Sequence, residues 1–258
     1  MPMLMVMDIG NSNIVVGFVE NNEILRKARI ATDRVKTSDQ YWIDLKNIFQ
    51  LFEFTPREID DVIVSSVVPP VLNSCSTAIT KLTGKEPMVV GPGMKTGVNI
   101  LLDNPAQAGS DLIAAAVAAQ REYPKPTIII DMGTATTITV LDKNGAFVGG
   151  SICPGVKISA EALSGRTAQL PSISLEAPKK AVGRNTVDSM KSGIMLGAAA
   201  MLDGMIDRMV EELGEPATVV ATGGISRYVL PMCRQKIIYD HDLLLKGLVI
   251  LYENNKKQ

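Results

Sequence analysis

Histidine occurs once in 258 residues, as His241. That scarcity nearly excludes a histidine-based triad or a zinc centre and turns the search for a general base towards carboxylates. Cys75, Cys153 and Cys233 are scattered, odd in number and without metal-ligand spacing, which fits reduced thiols rather than a disulfide framework. No apolar run approaches the ~20 residues of a membrane-spanning helix. No basic region followed by a cleavage site precedes the first apolar segment. The formal net charge of −1 supplies no field to hold nucleic acid or an anionic membrane. The expectation is a cytoplasmic protein with neither nucleic acid nor membrane as partner. What is present, 46% hydrophobic against 21% charged residues, is ordinary globular usage with ample core for one large or two small domains.

The chain is organised around residues 3–18. A short uncharged apolar run ends at Asp8, a turn follows through Gly10, Asn11, Ser12 and Asn13, and a second apolar segment begins at Ile14 and Val15. The run reads as a buried strand, and the turn puts Asp8 at the mouth of a sheet. Backbone N–H groups and the three polar side chains can wrap an anion there, because Gly10 has no Cβ to block the approach. The design returns at 127–140: an apolar strand, Asp131, Gly133, small polar residues, an outgoing strand. Asp8 matches Asp131, Gly10 matches Gly133, Asn11 matches Thr134 and Asn13 matches Thr136. Both outgoing strands lead into turns, Asn21-Asn22 and Lys143-Asn144-Gly145, as hairpins do. One Asp-x-Gly turn is common; two in matching context predict a duplicated α/β domain facing itself across a cleft.

Between and after these hairpins, strands alternate with helices, the pattern of a mostly parallel sheet with its sites at strand C-terminal ends. The expected elements are a strand over 24–30, a helix over 40–52, a strand over 62–66, a helix over 71–82 opened by Pro69-Pro70, and a short strand over 87–90. Gly109-Ser110-Asp111 precedes an alanine-rich helix, where either Ser110 or Asp111 reads as an N-cap. Residues 121–126 have the composition of a connector between halves. In the second half, a strand from Phe147 is followed by a short helix over 158–163. A long helix then runs from Asn185-Thr186 to about Leu213, closed by Gly214. Gly193, Gly197 and Gly204 within it imply close packing, against either a second core helix or another subunit. Thr222-Gly223-Gly224 ends another strand with a side-chain-free surface suited to a base and ribose. The helix over 243–252 closes the chain.

Two phosphate cradles and a glycine platform form a set that resembles the acetate and sugar kinase, Hsp70 and actin superfamily. In detail the chain is similar to the type III pantothenate kinases. The shared motifs run nearly end to end in family order: Asp8-Ile-Gly-Asn-Ser-Asn13, Ser65-Ser-Val-Val-Pro-Pro70, Val90-Gly-Pro-Gly93, Asn104-Pro105, Asp131-Met-Gly-Thr-Ala-Thr-Thr137, Arg166-Thr-Ala-Gln-Leu-Pro171, Asn185-Thr186 and Ala221-Thr-Gly-Gly224. The resemblance implies two ribonuclease H-like (actin-like ATPase) domains, 1–122 and 123–258, around a nucleotide cleft. It also implies ATP-dependent phosphorylation of pantothenate to 4'-phosphopantothenate, the first step of coenzyme A synthesis. Asp8, Ile9, Gly10, Asn11, Ser12, Asn13, Ile14 and Val15, with Thr134, Gly223 and Gly224, would bind ATP. Asp8 would place Mg2+ through water, and Asp131 would help hold K+ or NH4+. Asp111 would be the general base. Leu102, Gly109, Ser110, Asp111, Leu112 and Thr186 would meet pantothenate, with Thr186 offered across the interface of a homodimer.

At two positions the chain departs from the pattern. The family usually reads Gly-Ala-Asp-Arg where this chain has Gly109-Ser110-Asp111-Leu112, and a tyrosine where it has Leu102. Both changes fall on the acceptor side. The departures leave open, besides an authentic kinase, a non-catalytic ATP-binding regulatory relative and a subunit that needs a complete paralogue in a heterodimer.

Overall fold

A computed structural model describes residues 3–256. The chain runs β1 (Met3–Ile9), β2 (Asn13–Glu20), β3 (Glu23–Ala31), α1 (Ser38–Leu51), β4 (Ile59–Ser66), α2 (Pro69–Thr83), β5 (Met88–Val89), α3 (Ser110–Glu122) and β6 (Thr127–Met132). It continues through β7 (Ala135–Leu141), β8 (Phe147–Pro154), α4 (Val156–Arg166), α5 (Thr186–Lys191), α6 (Gly197–Leu213), β9 (Thr218–Thr222), α7 (Ser226–Val229), β10 (Ile238–Tyr239) and α8 (Leu243–Asn255).

The ten strands make two sheets of five, ordered β3-β2-β1-β4-β5 and β8-β7-β6-β9-β10. In each, the first three strands pair antiparallel and the last two join in parallel. Strand for strand the two halves match, so the expected duplication of an α/β unit with ribonuclease H-like topology is present. One detail differs. In the first hairpin Ile9 pairs with Ile14, and in the second Met132 pairs with Thr136, so the second turn is one residue shorter. The turn-closing hydrogen bonds agree: Gly10 N–H donates to the Asn13 carbonyl and Gly133 N–H to the Ala135 carbonyl, both at 3.0 Å. Asn13 therefore corresponds to Ala135. Thr136 takes the place of Ile14, buried like it rather than lining the turn.

By contacts the chain forms two compact units. The first comprises the residues through Gly97, Asn104–Ala118 and the segment from Leu243 onwards; the second comprises Val98–Asp103 and Ala119–Asp242. The sequence reading put one boundary between residues 122 and 123, with all that follows in one domain. By contacts, α8 joins the first unit instead. The physical reason is the double-sided burial of β1. Met5, Met7 and Ile9 pack with Tyr41, Leu45 and Phe49 of α1 and with Val71, Cys75 and Ile79 of α2. Val6 points the other way, and a Cβ at Gly17, its cross-strand partner, would lie 2.8 Å from Val6 Cγ2 and 3.2 Å from Leu245 Cδ1 of α8. A strand with a helical layer on both faces must be apolar at every position, and β1 is apolar until Asp8. Behind α8 lies α3: a Cβ at Gly247 would sit 1.9 Å from the Ala114 carbonyl oxygen. The alanine run of α3 allows that approach.

The second unit is built likewise. Ile128, Ile130 and Met132 of β6 share a core with Val156, Ala160, Met195, Ala199, Leu202 and Ile206. The long helix expected after Asn185 is one helical run, with a π-helical stretch at Ser192–Leu196 between α5 and α6. Asn185 caps it, accepting from Asp188 N–H at 2.9 Å, and Gly214 closes it in the left-handed region at φ 71°. A Cβ at Gly193 or Gly197 would meet open space. Among the described residues no helix fills the space that faces these two glycines.

Candidate active site

In the first unit the site begins where β1 ends. Asp8 is half-buried one residue before the end of β1, and Asn11, Ser12 and Asn13 are exposed on the turn after it. Ile9 and Ile14 are fully buried, so only their backbones can serve a ligand. The turn is held from the side by the residues after β3. Thr32 Oγ1 donates to the Gly10 carbonyl at 2.7 Å, Thr32 N–H donates to the Ser12 carbonyl at 3.0 Å, and Arg34 donates to Asn11 Oδ1 at 2.9 Å. Neither Thr32 nor Arg34 was singled out from sequence, because nothing local marks a residue two strands away as the prop of a turn. Arg34 also sets a positive charge beside the loop, where an anion gains from it.

The first turn of α3 reaches the neighbouring strand of the same sheet. Ser65, in β4, lies in parallel register with Asp8. Its hydroxyl donates to Ser110 Oγ at 3.0 Å, Ser66 N–H donates to the same oxygen at 3.1 Å, and Ser110 Oγ donates to the Ser66 carbonyl at 3.0 Å. Ser110 is thus not an N-cap. Its hydroxyl is turned into the fold, leaving its backbone to meet any ligand. Asp111, half-buried, is the acid of that turn: Leu112 N–H donates to Asp111 Oδ1 at 2.8 Å. Burial raises its pKa above the ordinary carboxylate value, opposed by the backbone N–H groups of Leu112 and of Asp111 itself. A Cβ at Gly109 would fall 2.4 Å from Asp111 Oδ1, so only glycine leaves the carboxylate where it is.

In the second unit, Asp131 is half-buried near the end of β6, in register with Thr222 of β9. Gly223 is at φ 93°, and a Cβ there would lie 2.6 Å from both Asp131 Oδ1 and the Met132 carbonyl oxygen. The glycine after β9 is therefore demanded by the end of β6. The Asp131 carboxylate at this strand end is an oxygen donor of the kind that suits a simple cation. Gly155 is pressed on the turn itself, its would-be Cβ 2.1 Å from the Thr134 carbonyl oxygen. Thr134 is half-buried on that turn. Among the described residues no three His, Cys, Asp or Glu side chains form a metal-binding group, and Asp8 and Asp131 are each the one carboxylate of their turns.

Leu102 follows an edge pairing: Ile100 bridges Phe147, and Leu101 N–H donates to the Phe147 carbonyl at 2.8 Å. Thr186 is exposed at the start of α5. It lines an open groove of about 560 Å³ together with Leu163, Leu170, Arg184 and Met190.

Comparison with known proteins bears on all of this. A family model described as type III pantothenate kinase matches residues 4–208. A type III pantothenate kinase of Exiguobacterium sibiricum is 44% identical over 254 residues, covering 98% of this chain and 100% of that protein. One from Listeria welshimeri is 42% identical, covering 98% of each. Among solved structures, the activator of the 2-hydroxyisocaproyl-CoA dehydratase from Clostridium difficile, with bound ADPNP, shares the fold at a TM-score of 0.54 and 16% identity, over 97% of this chain and 93% of that one. With a family model over residues 4–208 and near full-length relatives 42–44% identical, the chain belongs to the type III pantothenate kinase family.

Proposed function

We propose that this protein transfers the γ-phosphoryl group of ATP to the primary hydroxyl of pantothenate, giving 4'-phosphopantothenate at the entry to coenzyme A synthesis. The observation that carries the reading is the Asp111 carboxylate, half-buried, raised in pKa and fixed at the end of the sheet that bears the Asp8 turn. A base poised nearer the working pH is what proton removal from an alcohol requires. Asp111 takes the hydroxyl proton as the oxygen bonds to phosphorus and the bridge to ADP breaks.

Asn11, Ser12 and Asn13, on a turn propped by Thr32 and Arg34, are the donors for ATP phosphates, joined by Thr134. Gly223 and Gly224 leave room for the nucleoside. Asp8 is the carboxylate that would hold Mg2+ through water, and the ion would supply charge neutralisation to the phosphates. Asp131, with the Met132 carbonyl beside it, is the group to hold K+ or NH4+. With leucine at 112, the contact that residue 112 keeps with Asp111 is its backbone N–H.

The active form in this reading is a homodimer, with Thr186 offered to the partner subunit. Support comes from the open faces of Gly193 and Gly197 and from Thr186 and Val187 standing exposed on the same helical run. The compartment is the cytoplasm; no described helix is long and apolar enough to cross a membrane.

The test is phosphorylation of pantothenate by the purified protein with and without K+, Asp111→Asn alongside. K+-dependent turnover that falls about 10²- to 10⁴-fold in the variant bears the reading out. ATP binding without turnover in the wild type overturns it.

A further inference from the structure

We propose that Ser110 is a positioning residue: through its hydroxyl, clamped by Ser65 and Ser66 at the end of β4, it fixes the first turn of α3 and thereby the Asp111 carboxylate against the strand that carries Asp8. The inference rests on the kinase reading above and adds a residue that acts through another.

The arrangement is a relay of short links. Asp8 and Ser65 are neighbours in adjacent parallel strands. Ser65 donates to Ser110 Oγ, which also receives Ser66 N–H and donates to the Ser66 carbonyl, so the oxygen has one donor and two acceptor roles filled. A hydroxyl so engaged cannot turn to a ligand, and a buried one is not replaced by water without loss. Asp111 is the next residue. The ladder also continues past the strand ends, Val67 N–H donating to the Ile9 carbonyl at 3.1 Å, so the tip of β4 is itself tied to the Asp8 turn. From behind, Gly247 of α8 presses on the Ala114 carbonyl and bars α3 from retreating. Gly109 leaves the carboxylate the space it occupies. Of these restraints the serine hydroxyl alone grips the turn that carries the base. The groups acting on Asp111 are burial and two backbone N–H groups, with no charged side chain among the causes of its shift. Any change in its titration in a Ser110 variant therefore reports a change in how the turn is seated.

The experiment compares wild type, Ser110→Ala and Ser65→Ala in steady-state kinetics across pH, together with NMR titration of Asp111 in protein carrying 13C-labelled aspartate. In Ser110→Ala we expect kcat to fall about tenfold or more with KM for ATP little changed, since displacement of a base costs turnover rather than nucleotide binding. The Asp111 titration midpoint moves down towards the ordinary carboxylate value as the turn lifts into solvent. Ser65→Ala, which leaves the two Ser66 bonds, shows smaller changes of the same sign and carries the test if Ser110→Ala does not fold. A wild-type kcat, or a wild-type Asp111 midpoint in both variants, overturns the proposal whatever happens to the melting temperature. Absent turnover in the wild type would sink the kinase reading instead, while the NMR titration would still decide whether Ser110 seats Asp111.

Discussion

At the residue scale, Asp111 combines two demands that oppose each other. A carboxyl whose folded-state pKa is raised contributes its full stability below the unfolded pKa and loses it as pH rises through the folded value. Once ionised, Asp111 thus works against the fold, because burial penalises its charged form. Asp111→Asn should melt higher than the wild type at pH 7, an advantage that shrinks as pH falls into the carboxylate range, while turnover collapses; thermal scans at two pH values beside the activity assay check both. A variant that loses activity and also melts lower at pH 7 would contradict this account. Gly223 carries a second prediction. Its positive φ and the 2.6 Å approaches to Asp131 and Met132 mean that Gly223→Ala strains both strand ends, costing about 1–3 kcal/mol in urea unfolding and weakening ATP binding in calorimetry. Which of these residues were legible in the sequence follows from distance along the chain. Asp8, Gly10, Asp131 and Gly133 announce themselves, because a turn is local chemistry. Ser65 and Ser66 stood in a matched motif without a role, and Ser110 read as a cap. Their hydrogen bonds join β4 to the start of α3, some 45 residues apart in the chain, and only the packing of α3 on the end of β4 brings them together.

At the scale of elements, periodicity and turn chemistry located every main strand and helix, and the structure mostly lengthened them. The strand expected over 62–66 begins at Ile59, and the helix expected over 158–163 fills Val156–Arg166. The one-residue difference between the two hairpin turns was not legible, since both read as Asp-x-Gly followed by small polar residues. Only cross-strand register separates Asn13 from Thr136. Nor does composition say which layer a helix joins. α8 is apolar enough to pack anywhere, and its place against β1 and α3 is set by Gly247 meeting Ala114. Gly247→Ala should cost about 1–3 kcal/mol by overpacking, seen as a lower urea midpoint with an unchanged slope. An unaltered midpoint would mean that the helices separate freely.

For the whole molecule, the open glycines of the α5–α6 run give a test whose sign decides. In a monomer, Gly197→Leu removes a poor helix former and adds up to about 1 kcal/mol to the fold. In the proposed homodimer it intrudes on a partner, so sedimentation should show dissociation with secondary structure intact. Complementation is more direct. Inactive Asp111→Asn and Thr186→Ala proteins, mixed and allowed to exchange subunits, should regain about a quarter of wild-type turnover if each site draws its threonine from the other chain. No recovery on mixing would place Thr186 in its own subunit's site or in none.

The position of α8 also bears on how the protein is made. Domains commonly complete themselves in order of synthesis, the N-terminal one first. Here the second unit, Val98–Asp103 with Ala119–Asp242, is complete by Asp242, whereas the first lacks the helix that covers β1 until Leu243 and the residues after it have left the ribosome. The half that begins the chain is the last to close. Until then Ala114 has no Gly247 against it, and α3 has no helix behind it. In the proposed kinase, a chain cut before α8 should leave β1 and α3 uncovered on that side and lose turnover, which an activity assay of a chain ending at Asp242 checks.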